Sequence, residues 1–258
     1  MLQMAKIFDI YKNHASVYSD YIDTKIEQRN FRLIVNKIDE YNGVTDVIDI
    51  LDLCCGPFTI KPYIIELMNK HFPSLEYLSY TGVDINKKFI KYARSNSKHH
   101  KLRTNFVLAD AAKVTLPQQY DTIVATSAYH HISDDRKELF IDNVVRHLTD
   151  YGVFLVYEKF IGEHSTELES IKTGMQFYSE RILDILKEQE LNPNQAFGLA
   201  NEMYLTAVRD QEYKVTRKEF VDLVSKKGLK MVEEMKLWPE DDRFRNPEIG
   251  DFVMVLKK

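Results

Sequence analysis

The amino-acid sequence predicts an α/β fold with a doubly wound, mostly parallel sheet and additional helices that form a cap. Short apolar, β-branched segments alternate with amphipathic helical segments between residues 47 and 157, which is the pattern of successive βαβ units. The chain has 258 residues, of which 44% are hydrophobic and 29% charged, so its composition is globular and its length suits one large domain.

The first five predicted strands are separated by turns and predicted helices. The strands are 47–53, 78–83, 104–108, 120–125 and 152–157, and the helices are 60–70, 86–95 and 136–148. Each helix carries apolar residues at spacings of three and four, so one face can pack against the sheet. Right-handed crossovers between parallel strands then place helices on both faces.

The last part of the chain, residues 214–258, is predicted to complete the core. A suitable capping box begins the predicted helix 216–227. Segments 229–237 and 251–256 are predicted strands, and the charged loop between them allows the two to pair as a hairpin.

Two helical segments lie outside this alternation. We expect residues 1–43 to form an N-terminal cap and residues 161–213 to form an insertion, the lid and substrate pocket, with residues 44–160 as the core between them. An apolar stripe at helical spacing in the insertion includes Leu168 and Tyr178. Both segments should lie near the carboxyl ends of the strands, where open α/β sheets bind ligands.

The insertion also contains aromatic and methionine side chains that suggest an apolar or aromatic substrate. The alternative is that they only pack one helix against another or contribute to a homodimer. These residues are Met175, Phe177, Tyr178, Phe197, Met203 and Tyr204.

Charge and composition exclude several classes of function. With 35 basic and 39 acidic residues, the chain lacks the positive charge typical of a nucleic-acid-binding protein. No apolar run reaches the roughly 18 residues of a membrane span, and no secretory leader is expected, so we predict a cytoplasmic protein. The two cysteines, Cys54 and Cys55, are adjacent and cannot supply a four-ligand zinc site; no metal is expected.

The first three predicted strands each end in a residue suited to ligand binding. Gly56 follows the first strand closely, Asp84 ends the second and Asp110 follows the third. In a doubly wound sheet these ends converge on one crevice, where an acid can hydrogen-bond ribose hydroxyls or accept from the adenine amine. The turn at Gly56 continues with Pro57, which has no amide to donate, so an adenosine ligand without phosphates is favoured.

Five motifs then resemble a known family. They are Leu51 to Pro57, Gly82 to Asp84, Ala109-Asp110, Tyr120 to Val124 and Tyr129 to Ile132. In this order and spacing they resemble the class I S-adenosylmethionine-dependent methyltransferases over residues 45–158. Residues 216–258 resemble the closing helix and antiparallel strands of that family. The resemblance implies a Rossmann-like sheet of seven strands with an antiparallel last strand. It also implies S-adenosylmethionine (SAM) as cofactor and S-adenosylhomocysteine as product.

For the first turn, the resemblance implies contact with the methionine part of SAM through Asp52, Cys54, Cys55 and Gly56. Family members often have Gly-x-Gly-x-Gly in this turn. Here Cys54, Gly56 and Phe58 stand at the three glycine positions. We expect the Phe58 ring to narrow the space for the ligand.

For the other strand ends, the resemblance implies that Asp84 binds the ribose and that Ile85 lies against adenine. Asp110 and the Ala111 amide would read the adenine edge. The segment that begins near Ser127 would lie beside the sulfonium methyl group.

The catalytic candidates follow the fourth strand. His130 or His131 could be a general base for the substrate, because an imidazole titrates near neutral pH, while the alternative is a packing role. Tyr129 adjoins them as a third candidate. Glu158, after the fifth strand, could face the substrate.

The N-terminal segment offers three further candidates. Tyr18 and Tyr21 could close over the sulfonium, which an aromatic face attracts, or could simply pack in a helix. Arg29 could pair with the methionine carboxylate or remain on the surface.

The predicted function is methyl transfer from SAM to an oxygen or nitrogen atom of a small molecule. Other SAM chemistry is the first alternative: intramolecular ring formation that releases methylthioadenosine, or aminocarboxypropyl transfer. A non-catalytic SAM-binding module is the second. The chain lacks the Pro-Pro-aromatic motif of DNA amino-methylating enzymes and the Pro-Cys nucleophile of cytosine C5 enzymes.

Overall fold

The computed structural model describes residues 18, 22–43, 47–70 and 76–258. The described part contains a seven-stranded sheet in the order β3-β2-β1-β4-β5-β7-β6. The strands are β1 Val47–Leu53, β2 Tyr77–Asp84, β3 Leu102–Leu108, β4 Tyr120–Thr126, β5 Leu148–Phe160, β6 Lys230–Trp238 and β7 Gly250–Lys257. β1 to β5 run parallel and β7 pairs antiparallel with both β5 and β6, which confirms the predicted fold class.

Seven α-helices lie in the described residues. They are α1 Lys25–Asn42, α2 Lys61–Lys70, α3 Lys87–Asn96, α4 Lys137–His147, α5 Glu167–Glu188, α6 Pro193–Val208 and α7 Arg217–Lys226. Side chains cap several of them: the Thr166 and Thr216 hydroxyls accept from the third amide of α5 and α7, as sequence motifs of this kind predict. None of these helices has the length and apolar composition of a membrane span.

The two faces of the sheet each carry a hydrophobic core. α1, α2 and α3 cover one face, where Phe31, Ile34 and Ile64 are buried against strand residues such as Ile50. α4 and α7 cover the other face. Helix α1 of the N-terminal segment therefore packs against one face of the sheet and is not confined to the carboxyl edge.

β5 is longer than the sequence pattern predicts. It starts at Leu148 and continues to Phe160, because residues 153–160 pair with the whole of β7. This extension keeps Glu158 and Lys159 within the strand and buries both side chains.

α5 and α6 form an antiparallel pair beside this extension. The predicted apolar stripe is only partly correct: Tyr178 is buried, whereas Leu168 is 61% exposed. Gly174 faces α6 so closely that a Cβ atom would lie 2.8 Å from Thr206 Cγ2, so the buried side of α5 includes small residues at the contact.

Candidate functional site

A cavity of about 670 Å³ opens at the carboxyl ends of the central parallel strands. Its walls come from the strand ends, the start of α3, the N-terminal part of α1 and the segments around Ser127 and Gln211. The residues used below that line it are Tyr18, Glu27, Cys54, Gly56, Asp84, Ile85, Asp110, Ala111, Ser127, His130, His131, Arg136, Lys159, Glu202 and Gln211. Asp84 and Asp110 thus face the same space.

The turn after β1 keeps a glycine-like backbone with only one glycine. Cys54, Gly56 and Phe58 have φ angles of 66°, 57° and 73°, all in the left-handed region. A non-glycine residue pays roughly 1–2 kcal/mol for this conformation. The amides of Cys54 and Cys55 both donate to the Val83 carbonyl, which ties the turn to the end of β2.

Phe58 does not narrow the cavity as the sequence analysis expected. Its side chain is 3% exposed and packs under the turn, with its ring centroid 4.2 Å from that of Tyr80 and 5.4 Å from that of Phe106. The left-handed backbone at Phe58 accompanies this inward orientation. Cys54 lines the cavity, whereas Cys55 is buried in the core.

Asp84 is fixed by the backbone on both sides. Its Oδ2 accepts from the Gly56 amide at 2.9 Å and its Oδ1 accepts from the Asn86 amide at 2.7 Å. Burial raises the pKa of this carboxyl to about 6, although the two amide hydrogen bonds oppose the rise. Each oxygen can still accept from a hydroxyl group of a ligand in the cavity.

Asp52 lies beneath the turn and does not line the cavity. Its Oδ2 accepts from the Tyr80 hydroxyl at 2.5 Å, and its Oδ1 has no partner among the described residues. Burial raises its pKa to about 7, and the Tyr80 hydrogen bond opposes the rise. The structure thus places Asp52 as a support of the turn.

Asp110 forms an ion pair with Arg136 at the edge of the cavity. Its Oδ1 also accepts from the Ala112 amide at 3.0 Å, and Ala111, whose amide is predicted to face the ligand, lines the cavity. Ile85, which also lines this end, is 70% exposed. An apolar side chain, a carboxylate and a guanidinium therefore surround this part of the cavity.

Charged side chains lie at the other end of the cavity, beyond β4. Lys159 Nζ contacts the Ser127 hydroxyl and lies 3.2 Å from Glu27 Oε1. Burial acts to raise the pKa of Glu27, but the charges of Lys159 and Arg181 lower it. This ion pair is almost fully enclosed: Lys159 is 5% and Glu27 9% exposed.

Arg181 supports the pair from behind. It is buried in α5, donates to Glu27 Oε1 at 2.8 Å and forms an ion pair with Asp251 of β7. The Tyr157 hydroxyl lies between the same acids and donates to Glu27 Oε2 at 2.8 Å. The network links α1, α5, β5 and β7.

His130 pairs with Glu158 at the base of the cavity. The His130 Nδ1 atom lies 2.5 Å from Glu158 Oε1, and the His130 amide donates to Glu158 Oε2 at 3.2 Å. Burial and the charge of Lys214 lower the pKa of His130 well below its usual value. The imidazole is therefore neutral near pH 7.

A second acid approaches the two histidines from the segment after α6. Glu212 Oε1 lies 3.8 Å from His130 Nε2 and 3.6 Å from His131 Nδ1, and Glu212 Oε2 pairs with Lys214 at 2.7 Å. Burial acts to raise the pKa of Glu212, but the charge of Lys214 lowers it below its usual value. The His131 Nδ1 atom also lies 2.6 Å from the Gln211 carbonyl oxygen.

Several other predicted site residues lie away from the cavity. Tyr129 packs against Phe140 and Phe220 in the core, and Arg29 pairs on the surface with Glu188 at 2.8 Å. Met175, Tyr178 and Tyr204 do not line the cavity, and Glu158 reaches it only through His130. Tyr18 lines it beside Phe89, and Tyr21 is outside the described residues.

Sequence reasoning missed the acidic and basic residues at the far end of the cavity. Glu27, Lys159, Glu202 and Glu212 are buried and separated widely along the chain, and each reads as an ordinary surface residue in a helix, strand end or loop. No local signal marks Lys159, because Glu158 and Lys159 interrupt the apolar run of β5 and look like the end of a strand.

Comparisons with known proteins identify related sequences and folds. Residues 50–152 match the family model described as a methyltransferase domain. The carboxy-S-adenosyl-L-methionine synthase of Campylobacter lari is 22% identical over 93% of this chain and 94% of the relative. The enzyme of the same name from Nautilia profundicola is 26% identical over 62% of this chain and 64% of the relative.

Solved structures share the fold at low sequence identity. An S-adenosylmethionine-dependent methyltransferase from Clostridium acetobutylicum is 12% identical, with a TM-score of 0.57 over 99% of this chain and 98% of the other. A cyclopropane synthase from Mycobacterium tuberculosis is 14% identical, with a TM-score of 0.62 over 98% and 93%.

Proposed function

We propose that this chain, whose residues 50–152 match a methyltransferase domain and whose fold is that of SAM-dependent methyltransferases, binds SAM in the described cavity and transfers the methyl group to a small polar molecule. The product from the cofactor is S-adenosylhomocysteine.

The observation that carries the proposal is the anchored carboxylate of Asp84. Two backbone amides hold its oxygens at the cavity wall, so the carboxylate cannot turn away when a ligand enters. The ribose of SAM has two adjacent hydroxyl groups that can donate to these oxygens. A pre-oriented acceptor of this kind binds such a pair without loss of side-chain freedom.

The adenine ring would lie next to Ile85 and Asp110. Ile85 offers an apolar surface, and Asp110, held by Arg136 and the Ala112 amide, offers an acceptor for the exocyclic amine. The methionine part would then follow the turn at Cys54 and Gly56 toward Ser127. Tyr18, on the opposite wall, supplies an aromatic side chain to this part of the cavity.

The acceptor would occupy the end that Glu27, Lys159, His130 and Glu202 line. These groups are charged or polar and are held by buried partners, so they favour an acceptor with polar groups. The aromatic residues of the insertion support the helices instead of contacting the acceptor.

His130 is the catalytic residue of this proposal. Glu158 holds the Nδ1 atom, which orients the neutral ring so that Nε2 can take the proton from an acceptor hydroxyl or amine. The acceptor atom attacks the methyl carbon, the carbon–sulfur bond breaks, and the sulfur leaves as a neutral thioether. Most of the rate advantage comes from holding the acceptor in line with that bond.

A second candidate is the formation of a carboxylated SAM, as the name of the curated relatives describes. In this reaction the sulfonium methyl group loses a proton and its carbon adds carbon dioxide, which a second, decarboxylating carboxylic acid or bicarbonate in the incubation would supply. The buried Lys159 ammonium group and the sulfonium of SAM are both positively charged. They repel each other unless an anion lies near both. Lys159, next to Ser127, would provide a positive partner for a carboxylate attached at the methyl position.

Incubation with SAM labelled with ¹³C at the methyl group tests the proposal. Pools of hydroxy acids, amino acids and polyols serve as acceptors, and mass spectrometry follows the products. A labelled acceptor with S-adenosylhomocysteine supports methyl transfer. A labelled carboxy-SAM supports the second candidate, methylthioadenosine supports ring formation, and SAM binding without any product supports a non-catalytic module.

A further inference from the structure

Three potential metal ligands meet at the acceptor end of the cavity. His130, His131 and Glu212 each offer one ligand atom, and these atoms lie within 4.8 Å of one another. The His130 Nε2 to Glu212 Oε1 distance is 3.8 Å. An ion with bonds of about 2.0–2.2 Å to nitrogen and oxygen holds its ligand atoms roughly 3–4 Å apart, so small side-chain movements suffice.

We propose that these three residues bind a divalent transition-metal ion whose remaining coordination positions face the cavity. Two imidazoles and one carboxylate form a ligand set that suits zinc, iron, cobalt or nickel and leaves positions open for an exogenous ligand.

The first supporting observation is the state of Glu212. Its side chain is fully buried, and Oε1 has no hydrogen-bond partner among the described residues, whereas Oε2 is held by Lys214 at 2.7 Å. A buried carboxylate oxygen without a partner is costly. An ion bound between this oxygen and the imidazoles would satisfy it.

The second observation is the support behind each imidazole. Glu158 Oε1 lies 2.5 Å from His130 Nδ1, and the Gln211 carbonyl oxygen lies 2.6 Å from His131 Nδ1. Metal-bound histidines almost always donate their second ring N–H to a carboxylate or carbonyl. For His130 this arrangement holds Nδ1 at Glu158 and leaves Nε2, 3.8 Å from Glu212 Oε1, for the ion; for His131 the atom 3.6 Å from Glu212 Oε1 is Nδ1 itself.

Ion binding itself does not depend on the proposed function, but its consequence does. An acceptor hydroxyl or amine bound at an open position would lose its proton more readily, because the ion stabilises the resulting anion. His130 would then act as a ligand, and the proton would pass to solvent.

Cobalt binding to the chelator-treated full chain, without SAM, tests the inference. Cobalt(II) gives visible absorption bands that report its ligands, and calorimetry gives the stoichiometry and affinity. We expect one equivalent to bind. Glu212→Gln and His131→Ala should abolish this binding, and Glu158→Gln should weaken it about 10- to 100-fold because it loosens a ligand without removing it.

A second adjacent histidine pair provides the matched control. His99 and His100 lie on a bend between α3 and β3 with ring centroids 4.5 Å apart, and they do not belong to the three-residue group. Replacing both by Ala should leave cobalt binding unchanged. Circular dichroism and SAM affinity of each variant establish that it is folded.

The inference is overturned if the wild-type chain binds no stoichiometric cobalt, or if folded Glu212→Gln binds it as well as wild type. A chain that binds SAM but not cobalt refutes this inference alone. A chain that binds cobalt but not SAM refutes the proposed function and leaves the metal site standing.

Discussion

Replacing Asp84 by Asn tests the ribose contact most directly. Both carboxylate oxygens accept from backbone amides, those of Gly56 and Asn86. In either orientation, the NH₂ group of Asn would face one of these N–H donors and lose its hydrogen bond. A ribose hydroxyl would also lose its hydrogen bond to a charged group, which contributes about 1.5–3 kcal/mol, so we expect SAM affinity to fall roughly 10- to 100-fold.

The same carboxyl makes SAM binding depend on pH. Its pKa is raised to about 6 from 3.8, so the folded chain holds the proton more tightly than the unfolded chain. The ionised group therefore destabilises the free protein by about 3 kcal/mol above pH 6, and this cost disappears as the pH falls toward 4. Ribose hydroxyls favour the ionised form, so SAM binding should weaken as the pH falls through 6.

Calorimetry of SAM binding at pH 5 and pH 7 measures this effect. If only ionised Asp84 accepts from the ribose, affinity at pH 5 should be about tenfold lower than at pH 7. Asp84→Asn is the control. Its SAM affinity should be weaker than that of wild type and should be the same at pH 5 and pH 7. The reasoning is wrong if the variant shows the same pH step as wild type, or if its affinity at pH 7 equals that of wild type.

Three further outcomes are expected. Cys54→Gly should raise the free energy of unfolding in urea by up to about 1 kcal/mol, since φ is 66° there; a loss of stability would show that the Cys54 side chain contributes more than its backbone costs. Asp52→Asn should stabilise the chain more at pH 8 than at pH 5, because burial raises the pKa of Asp52 to about 7 and the ionised form costs about 4 kcal/mol above that pH; equal effects at both pH values would contradict this. His130→Gln should lower turnover at least 100-fold with SAM affinity within a factor of about three, and an unchanged rate would assign His130 a structural role.

The arrangement of strands follows from local patterns in the sequence. Alternating strand and helix segments predict parallel pairing, and a hairpin pattern predicts the closing pair of strands. The seven-stranded sheet with its antiparallel last strand was implied by the family resemblance, and the order of the strands was not predicted. The extension of β5 was not, because Glu158 and Lys159 look like the end of a strand until β7 supplies their backbone partners.

The adenosine side of the cavity was more predictable than the acceptor side. Asp84 and Asp110 lie directly at strand ends, where topology alone brings them together. Glu27, Lys159 and Glu212 meet only through the packing of α1, β5 and the segment after α6. No local pattern encodes such a contact, and their charges suggest exposed positions.

The left-handed backbone of Phe58 was also hidden. A large side chain at a glycine position suggested obstruction, but the chain turns the ring down between Tyr80 and Phe106. Phe58 thus has the left-handed backbone that favours glycine, while its side chain contributes to the core.

The position of Arg181 has a consequence for how acceptor preference can change. It lies behind the cavity wall, yet its charge fixes Glu27 in front and Asp251 in the sheet. A substitution on that distant helix would release the acid and alter the field felt by a bound molecule. Under the proposed function, selectivity would therefore be retuned from a residue behind the cavity wall, without a change at Asp84 or Asp110.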